Sequence, residues 1–207
     1  MKENILSSAR KLFLENGYSK TTLKDIVKDA NTSIGNCYFY YKNKETILAE
    51  IIKKDSEKGD LKVANLIKKY KINNLIKRIS TIIYVHSLDI LTNKDVIQLY
   101  LMGASFPAIR KITSEKIKNH IIELNKFKDE SHKRIFNNEF IEIVDIFPTL
   151  YKSIFIGLAE GFYLGEFDRS VDNMLEVMVK WVLMSLNITK EEIEENLVFL
   201  KSIKIPE

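Results

Sequence analysis

Cysteine occurs once in this chain, at Cys37, so no internal disulfide can staple the fold and the content suits a reducing compartment. Three prolines and seven glycines are too few for an architecture of many short strands and tight turns. The three histidines, His86, His120 and His132, stand far apart, and none has a second His or Cys three or four residues away. Their spacing therefore suggests no metal site, and no cofactor is expected. A P-loop, a Gly-rich dinucleotide turn and a nucleophile elbow are also missing. An enzyme with a helical body would have no recognisable set of residues to carry its chemistry. The opening stretch MKENILSSARKLF lacks the apolar run of a secretory signal. No uncharged segment approaches the ~18 residues that cross a bilayer. The most apolar stretch, 146–167, carries Lys152, Glu160 and Glu166. A soluble cytoplasmic protein with no membrane partner is expected.

What the chain has in abundance is Leu, Ile, Lys and Glu. At 207 residues, 45% apolar and 29% charged, it has ample material for a core, and the composition reads as all-α. The net charge of +4 is unevenly placed. Residues 1–54 hold ten Lys and Arg against six Asp and Glu, which accounts for all of it. A basic N-terminal segment on a neutral remainder fits a polyanion-binding head, or simply a solvated basic face.

The pattern of apolar residues divides that segment into helices. Ile5, Leu6, Ala9, Leu12 and Phe13 share one helical face, and Gly17 follows where a left-handed cap would end the helix. Thr21 or Thr22 offers the next N-cap, with Asp25 in the capping-box position after Thr22. Leu23, Ile26, Val27 and Ala30 form the inner face of a second helix. Asn31 suits a turn that needs positive φ, and Ser33 can cap a third helix over Ile34 to about Tyr41. A fourth begins near Asn43, carries Glu45 in its first turn, and runs to about Ser56 or on to Tyr70. Two short helices around a polar break make a helix-turn-helix, whose second helix enters a DNA major groove.

Ile5, Ala9, Leu12-Phe13, Glu15-Asn16-Gly17-Tyr18, Thr21-Thr22, Ile26, Ala30, Ser33, Gly35, Tyr38, Tyr40, Lys44-Glu45 and Leu48 keep order and spacing across all four helices. In these positions residues 5–48 resemble the DNA-binding head of the TetR family of bacterial transcriptional regulators. Asn31 stands where that family usually has a turn glycine, Thr32 where a small apolar residue is usual, Cys37 where a core Leu is usual, and Tyr41 where Phe is usual. The resemblance implies a three-helix DNA-binding head over residues 1–46 and a larger helical ligand-binding and dimerisation body over 47–207.

Beyond residue 60 the chain reads as helix after helix. Asn73 or Asn74 caps a segment to Leu91, and Thr92 or Asn93 starts one that stops near Phe106-Pro107. Ala108 to Lys128 is amphipathic, and residues 129–139 form a loop around one short turn. Two long apolar helices over 141–166 and 170–187 follow, with Pro148 kinking or starting the first. A last short helix begins at the capping box of Thr189 and Glu192.

Candidate site residues follow. In the recognition helix, Cys37 and Tyr41 fit inner positions, which leaves Ser33, Asn36 and Tyr40 facing outward. Asn36 can pair with adenine, Ile34 or Phe39 can touch a thymine methyl, and Gly35 lets backbone approach DNA. Thr22, Lys24, Tyr38 and Lys44 are expected on phosphates. Cys37 reads as a small core hydrophobe, with a redox sensor as the alternative. Gly157, Gly161 and Gly165 repeat every four residues. With Met174, Leu175, Met178 and Val182 they suggest a two-fold four-helix interface in a homodimer; the alternative is that the monomer's own helices cross there and that Gly165 simply ends its helix. Tyr84, His86, Tyr100, Met102, Phe106, Tyr151, Phe155 and Trp181 are candidates to line an apolar effector pocket, a pocket that the resemblance implies without choosing its residues. The reading that results is a homodimeric repressor, released from a near-palindromic double-stranded DNA operator by a small apolar effector. A DNA-binding regulator governed by a protein partner, or binding constitutively, is the alternative.

Overall fold

The computed structural model describes residues 1–205, and every regular element among them is a helix. In chain order these are α1 (Lys2–Asn16), α2 (Leu23–Asp29), α3 (Ile34–Tyr40), α4 (Lys44–Lys69), α5 (Leu75–Thr92) and α6 (Lys94–Ala104). Then come α7 (Pro107–Asn125), α8 (His132–Ile135), α9 (Asn138–Ile143), α10 (Phe147–Leu164), α11 (Val171–Ser185) and α12 (Lys190–Ser202). The fold is all-α, and no helix of the described residues is long and apolar enough to cross a membrane.

Helix boundaries fall where local chemistry sets them. Thr22 and Asp25 form a full capping box on α2, as Thr189 and Glu192 do on α12. Ser33, Asn74 and Ser170 cap α3, α5 and α11 by accepting a backbone N–H three residues on. Each such cap satisfies a donor that the helix leaves orphaned and contributes about 1 kcal/mol. Gly17 ends α1 at φ 80°, ψ 155°, an extended conformation of positive φ rather than the left-handed helical cap expected there. Gly165 ends α10 at φ 73°, ψ 23°, which is left-handed helical. The single helix expected over 141–166 is two: α9 stops at Ile143, and α10 starts at Phe147 with Pro148 in its first turn, where a missing N–H does no harm.

The chain divides into two compact units, and the division is not at residue 46. The head unit comprises Met1–Asp55 together with Lys94–Thr113; the body unit comprises Ser56–Asn93 and the chain from Ser114 onward. Residues of α6 and α7 join the head because its core is incomplete without them. Ile5, Ala9, Phe13, Ile26, Cys37, Ile47, Leu48 and Ile52 cluster with Leu99 and Ile109, all buried. Packing there is close: a Cβ on Gly103 would come within 2.5 Å of the Ile52 Cδ1 and 3.1 Å of the Ile109 Cγ2. Overfilling such a core costs about 1–3 kcal/mol.

In the body unit, α5 lies against α10, α11 and α12. Its Leu75, Ile76, Ile79, Ile83 and Val85 are buried in one cluster with Val179, Val182 and Leu183 of α11 and Leu197 and Leu200 of α12. Three buried polar side chains find partners, whereas the buried Ser87 hydroxyl of α5 has none among the described residues. Ser80 donates to the Ile76 carbonyl at 2.8 Å, Asn196 donates to the Glu192 carbonyl at 2.7 Å, and Lys152 donates to the Ser114 hydroxyl at 2.7 Å.

Candidate nucleic-acid interface

Two hydrogen bonds and one left-handed residue shape the turn between α2 and α3. The Ala30 N–H donates to the Ile26 carbonyl and the Thr32 N–H to the Val27 carbonyl, both at 2.9 Å, while Asn31 takes φ 48°. That left-handed conformation is one Asn tolerates better than most residues, so the chain makes the turn without glycine. Ser33 then caps α3 through the Asn36 N–H at 3.1 Å.

Within α3 only Cys37 is buried, at 0% exposure, and Tyr41 just beyond the helix is buried as well. These two fasten the helix to the head core. Burial pushes the Cys37 thiol above its ordinary pKa, which keeps it protonated and unreactive and argues against a redox sensor. Everything else on α3 faces outward: Ser33, Ile34, Gly35, Asn36, Tyr38, Phe39 and Tyr40 are exposed, Phe39 at 81%. Phe39 and Tyr40 meet edge to face at 4.9 Å, and the Asn36 amide donates to the Thr32 hydroxyl at 3.2 Å. So many exposed aromatic side chains on one seven-residue helix mark a contact surface rather than ordinary solvent-facing residues.

The expected phosphate ligands divide. Lys24 is exposed beside this face. The Thr22 hydroxyl, in contrast, donates to the Asp25 carboxylate at 2.7 Å inside the capping box. Those bonds hold the Asp25 carboxyl below its usual pKa. Lys44 is the clearer correction. Its ammonium lies 2.7 Å from the Tyr18 carbonyl, 3.1 Å from that of Thr21 and 3.4 Å from that of Ser19, and sits 4.2 Å above the Tyr18 ring. It closes the α1–α2 loop instead of reaching outward. Lys42, exposed just past α3, is a cation on this side that sequence reasoning passed over. Its position two residues beyond Tyr40 was the available signal.

The expected effector residues are divided between the two units. Tyr100, Met102 and Phe106 pack in the head unit, where Phe106 lies 4.7 Å from the Tyr18 ring. Met102 and Phe106 border an open cleft of about 380 Å³ there, beside Asn16, Gly17, Tyr18, Ser19 and Lys20. Tyr84, Tyr151 and Trp181 pack against the body core instead, with Tyr151 stacked at 6.3 Å on Phe147 and 6.1 Å on Phe155. His86 lies against the carboxylate of Asp60. Aromatics at helical spacing fill whichever core their helix meets, and these eight are shared between the two units.

The expected dimer face also changes. Met174, Leu175, Met178 and Val182 are buried within the single chain, hence unavailable to a second copy. A Cβ on Gly161 would lie 2.6 Å from the Phe167 ring, so that glycine accommodates its own chain, and Gly165 serves as the helix cap. Gly157 opens onto free space, and so does the capping Gly165; only Gly161 is closed off. Exposed apolar residues do exist nearby: Ile146 at the N-cap of α10 and Leu150 and Ile154 within it recur every four residues, and Val177 and Met184 flank the half-buried Trp181 on α11.

An outward-facing recognition helix on a capped helix-turn-helix, carried by an all-helical chain, defines a DNA-binding regulator. Residues 5–51 match the model of the bacterial regulatory proteins of the tetR family. The negative transcriptional regulator IcaR of the icaADBC biofilm operon in Staphylococcus epidermidis is 30% identical over 160 residues, 71% of this chain and 80% of that protein. Among solved structures, a TetR-family transcriptional regulator from Syntrophomonas wolfei covers 90% of this chain and 94% of its own at TM-score 0.67 and 17% identity. RolR bound to resorcinol covers 100% and 95% at TM-score 0.63 and 17% identity, a likeness of fold. The chain belongs to the tetR family of bacterial regulatory proteins. Its relatives are transcriptional regulators rather than enzymes.

Proposed function

We propose that this regulator is a repressor that acts as a homodimer on a near-palindromic operator. Each copy places α3 in a major groove, with half-sites about one helical turn, roughly 34–36 Å, apart. Asn36 reads a base edge; Ile34 and Phe39 contact thymine methyls; Tyr38, Lys24 and Lys42 hold phosphates. The observation that carries this reading is the exposure of every α3 residue except Cys37. Repression is supported by the likeness to a negative regulator over four-fifths of that protein's length. The two copies meet through the apolar faces of α10 and α11, with Leu150, Ile154, Gly157, Val177 and Met184 turned to the partner.

A small apolar effector releases the protein by binding better to a state whose heads no longer match the operator, so the loss in affinity equals its differential binding. That a protein of like fold holds resorcinol supports this class of ligand. A second reading, DNA binding governed without a small molecule, draws support from the packing of Tyr84, Tyr151, Phe155 and Trp181 into or against the body core.

Selection of bound sequences from random DNA, followed by gel shift, tests the operator reading. Asn36→Ala with Tyr40→Ala is expected to abolish specific binding, each base contact being worth about 1–3 kcal/mol, while sedimentation still gives twice the 24.1 kDa chain mass. Specific binding that survives both substitutions would show that another face reads the DNA.

A further inference from the structure

Three body helices bring together side chains that lie 26 and 34 residues apart in sequence. Asp60 of α4, His86 of α5 and His120 of α7 converge so that one ligand atom from each lies within 4.8 Å of the others. The Nε2 of His86 is 3.1 Å, and that of His120 3.2 Å, from the same oxygen, Asp60 Oδ1. The other oxygen of Asp60 is held by the Lys116 ammonium at 2.9 Å, and Lys116 also donates to the Ser56 carbonyl at 2.8 Å and to its hydroxyl. The two imidazole rings stand 5.7 Å apart. All four side chains are partly screened from water, their side-chain exposures running from 20% for His86 to 39% for Asp60.

The helix makes room for this arrangement. Gly59 sits in the interior of α4, where glycine costs about 1 kcal/mol relative to alanine. A Cβ there would come 2.6 Å from Nδ1 and 2.7 Å from Cε1 of His86. Any larger residue would push the imidazole off the carboxylate.

We propose that Asp60, His86 and His120 form a binding site for a divalent first-row transition ion of the zinc, cobalt and nickel kind. Two imidazoles and one carboxylate are a donor set such ions take, with a position left open for water. Tetrahedral bonds of 2.0–2.2 Å place neighbouring ligand atoms roughly 3.3–3.5 Å apart. The nitrogen–oxygen separations of 3.1 and 3.2 Å therefore need only a few tenths of an ångström of opening. In the metal-bound form each imidazole carries its proton on Nδ1 and offers the Nε2 lone pair to the ion. Asp60 gives Oδ1 to the ion and keeps its other oxygen on Lys116. Burial lowers the basicity of His86, which favours the neutral ring that a metal requires. The site spans α4, α5 and α7 within the body unit and stands independently of the operator reading.

The test uses the full chain stripped with a chelator and titrated with Co²⁺ alone, then with Zn²⁺ in competition. We expect one ion per chain, visible absorption of a low-coordinate Co²⁺ centre with nitrogen and oxygen ligands, and bleaching by Zn²⁺. His120→Asn, at the more exposed ring, and Asp60→Asn are each expected to weaken binding about tenfold or more while circular dichroism stays native. His132→Asn and Cys37→Ser are expected to leave it unchanged. Saturating Zn²⁺ raises the melting temperature of the wild type but not of His120→Asn. Failure of the wild type to take up one ion, or uptake by His120→Asn equal to wild type, overturns the proposal. Loss of the ion in His132→Asn or Cys37→Ser does so too.

Discussion

Replacing Lys44 by Gln should unsettle the head while sparing its salt-dependent grip on DNA. The structure gives the size of the first effect. The ammonium serves three loop carbonyls, at 2.7, 3.1 and 3.4 Å, of which the first two are good hydrogen bonds, and it stands over the Tyr18 ring at 4.2 Å. A hydrogen bond to a charged donor contributes about 1.5–3 kcal/mol. A cation over an aromatic face adds about 0.5–1 kcal/mol where water still reaches it. Gln can restore one bond at most, so a loss of about 2–4 kcal/mol is expected, read as a lower denaturant midpoint in circular dichroism. The second effect is a null. A side chain that contacts phosphate contributes about 0.9 to the slope of log affinity against log salt. Lys44→Gln should leave that slope unchanged below its unfolding range, whereas Lys24→Gln and Lys42→Gln, each removing one contact from both copies of the dimer, should each reduce it by about twice that amount. A slope that falls by about two in Lys44→Gln at unaltered stability would refute the assignment of Lys44 as a loop clasp.

Two further outcomes are expected. Because burial raises the Cys37 thiol above its ordinary value of 9.0, the folded state disfavours thiolate. Stability should hold below that pH and decline as pH rises through the folded value. At neutral pH a thiol reagent should react only on unfolding, and peroxide should not release DNA; rapid labelling of native protein would contradict this. Ile154→Glu on α10 should shift the sedimenting species from twice 24.1 kDa to 24.1 kDa, since it places a charge in an apolar contact without touching the chain's own core. A persistent dimer would move the interface elsewhere.

The parts legible in the sequence are those governed by neighbours within one helical turn. Thr22, Ser33, Asn74 and Thr189 announce helix starts because a cap bonds to a backbone three residues on. Asn31 announces the turn through its own backbone preference, and the inward position of Cys37 follows from helical periodicity. Illegible were contacts whose partners lie far away along the chain. Lys44 reads as a phosphate ligand until the carbonyls of residues 18–21 are folded against it. His86 and His120 read as stray histidines until Asp60 brings them together. Met178 and Val182 offered an apolar stripe, but a stripe does not reveal whether its cover comes from the same chain or another.

The participation of Leu99 and Ile109 in the head core also has a consequence for synthesis. Residues 1–55 are synthesised before these two side chains exist. At about 5–20 residues per second, the interval from Asp55 to Leu99 and Ile109 is roughly 2 to 11 seconds. Over that time Ile47, Leu48 and Ile52 lack part of their cover, and the nascent head has an unfinished interior. A reading head cut at Asp55 for transplantation onto another body would inherit the same gap permanently, so a working graft has to carry α6 and the start of α7 with it.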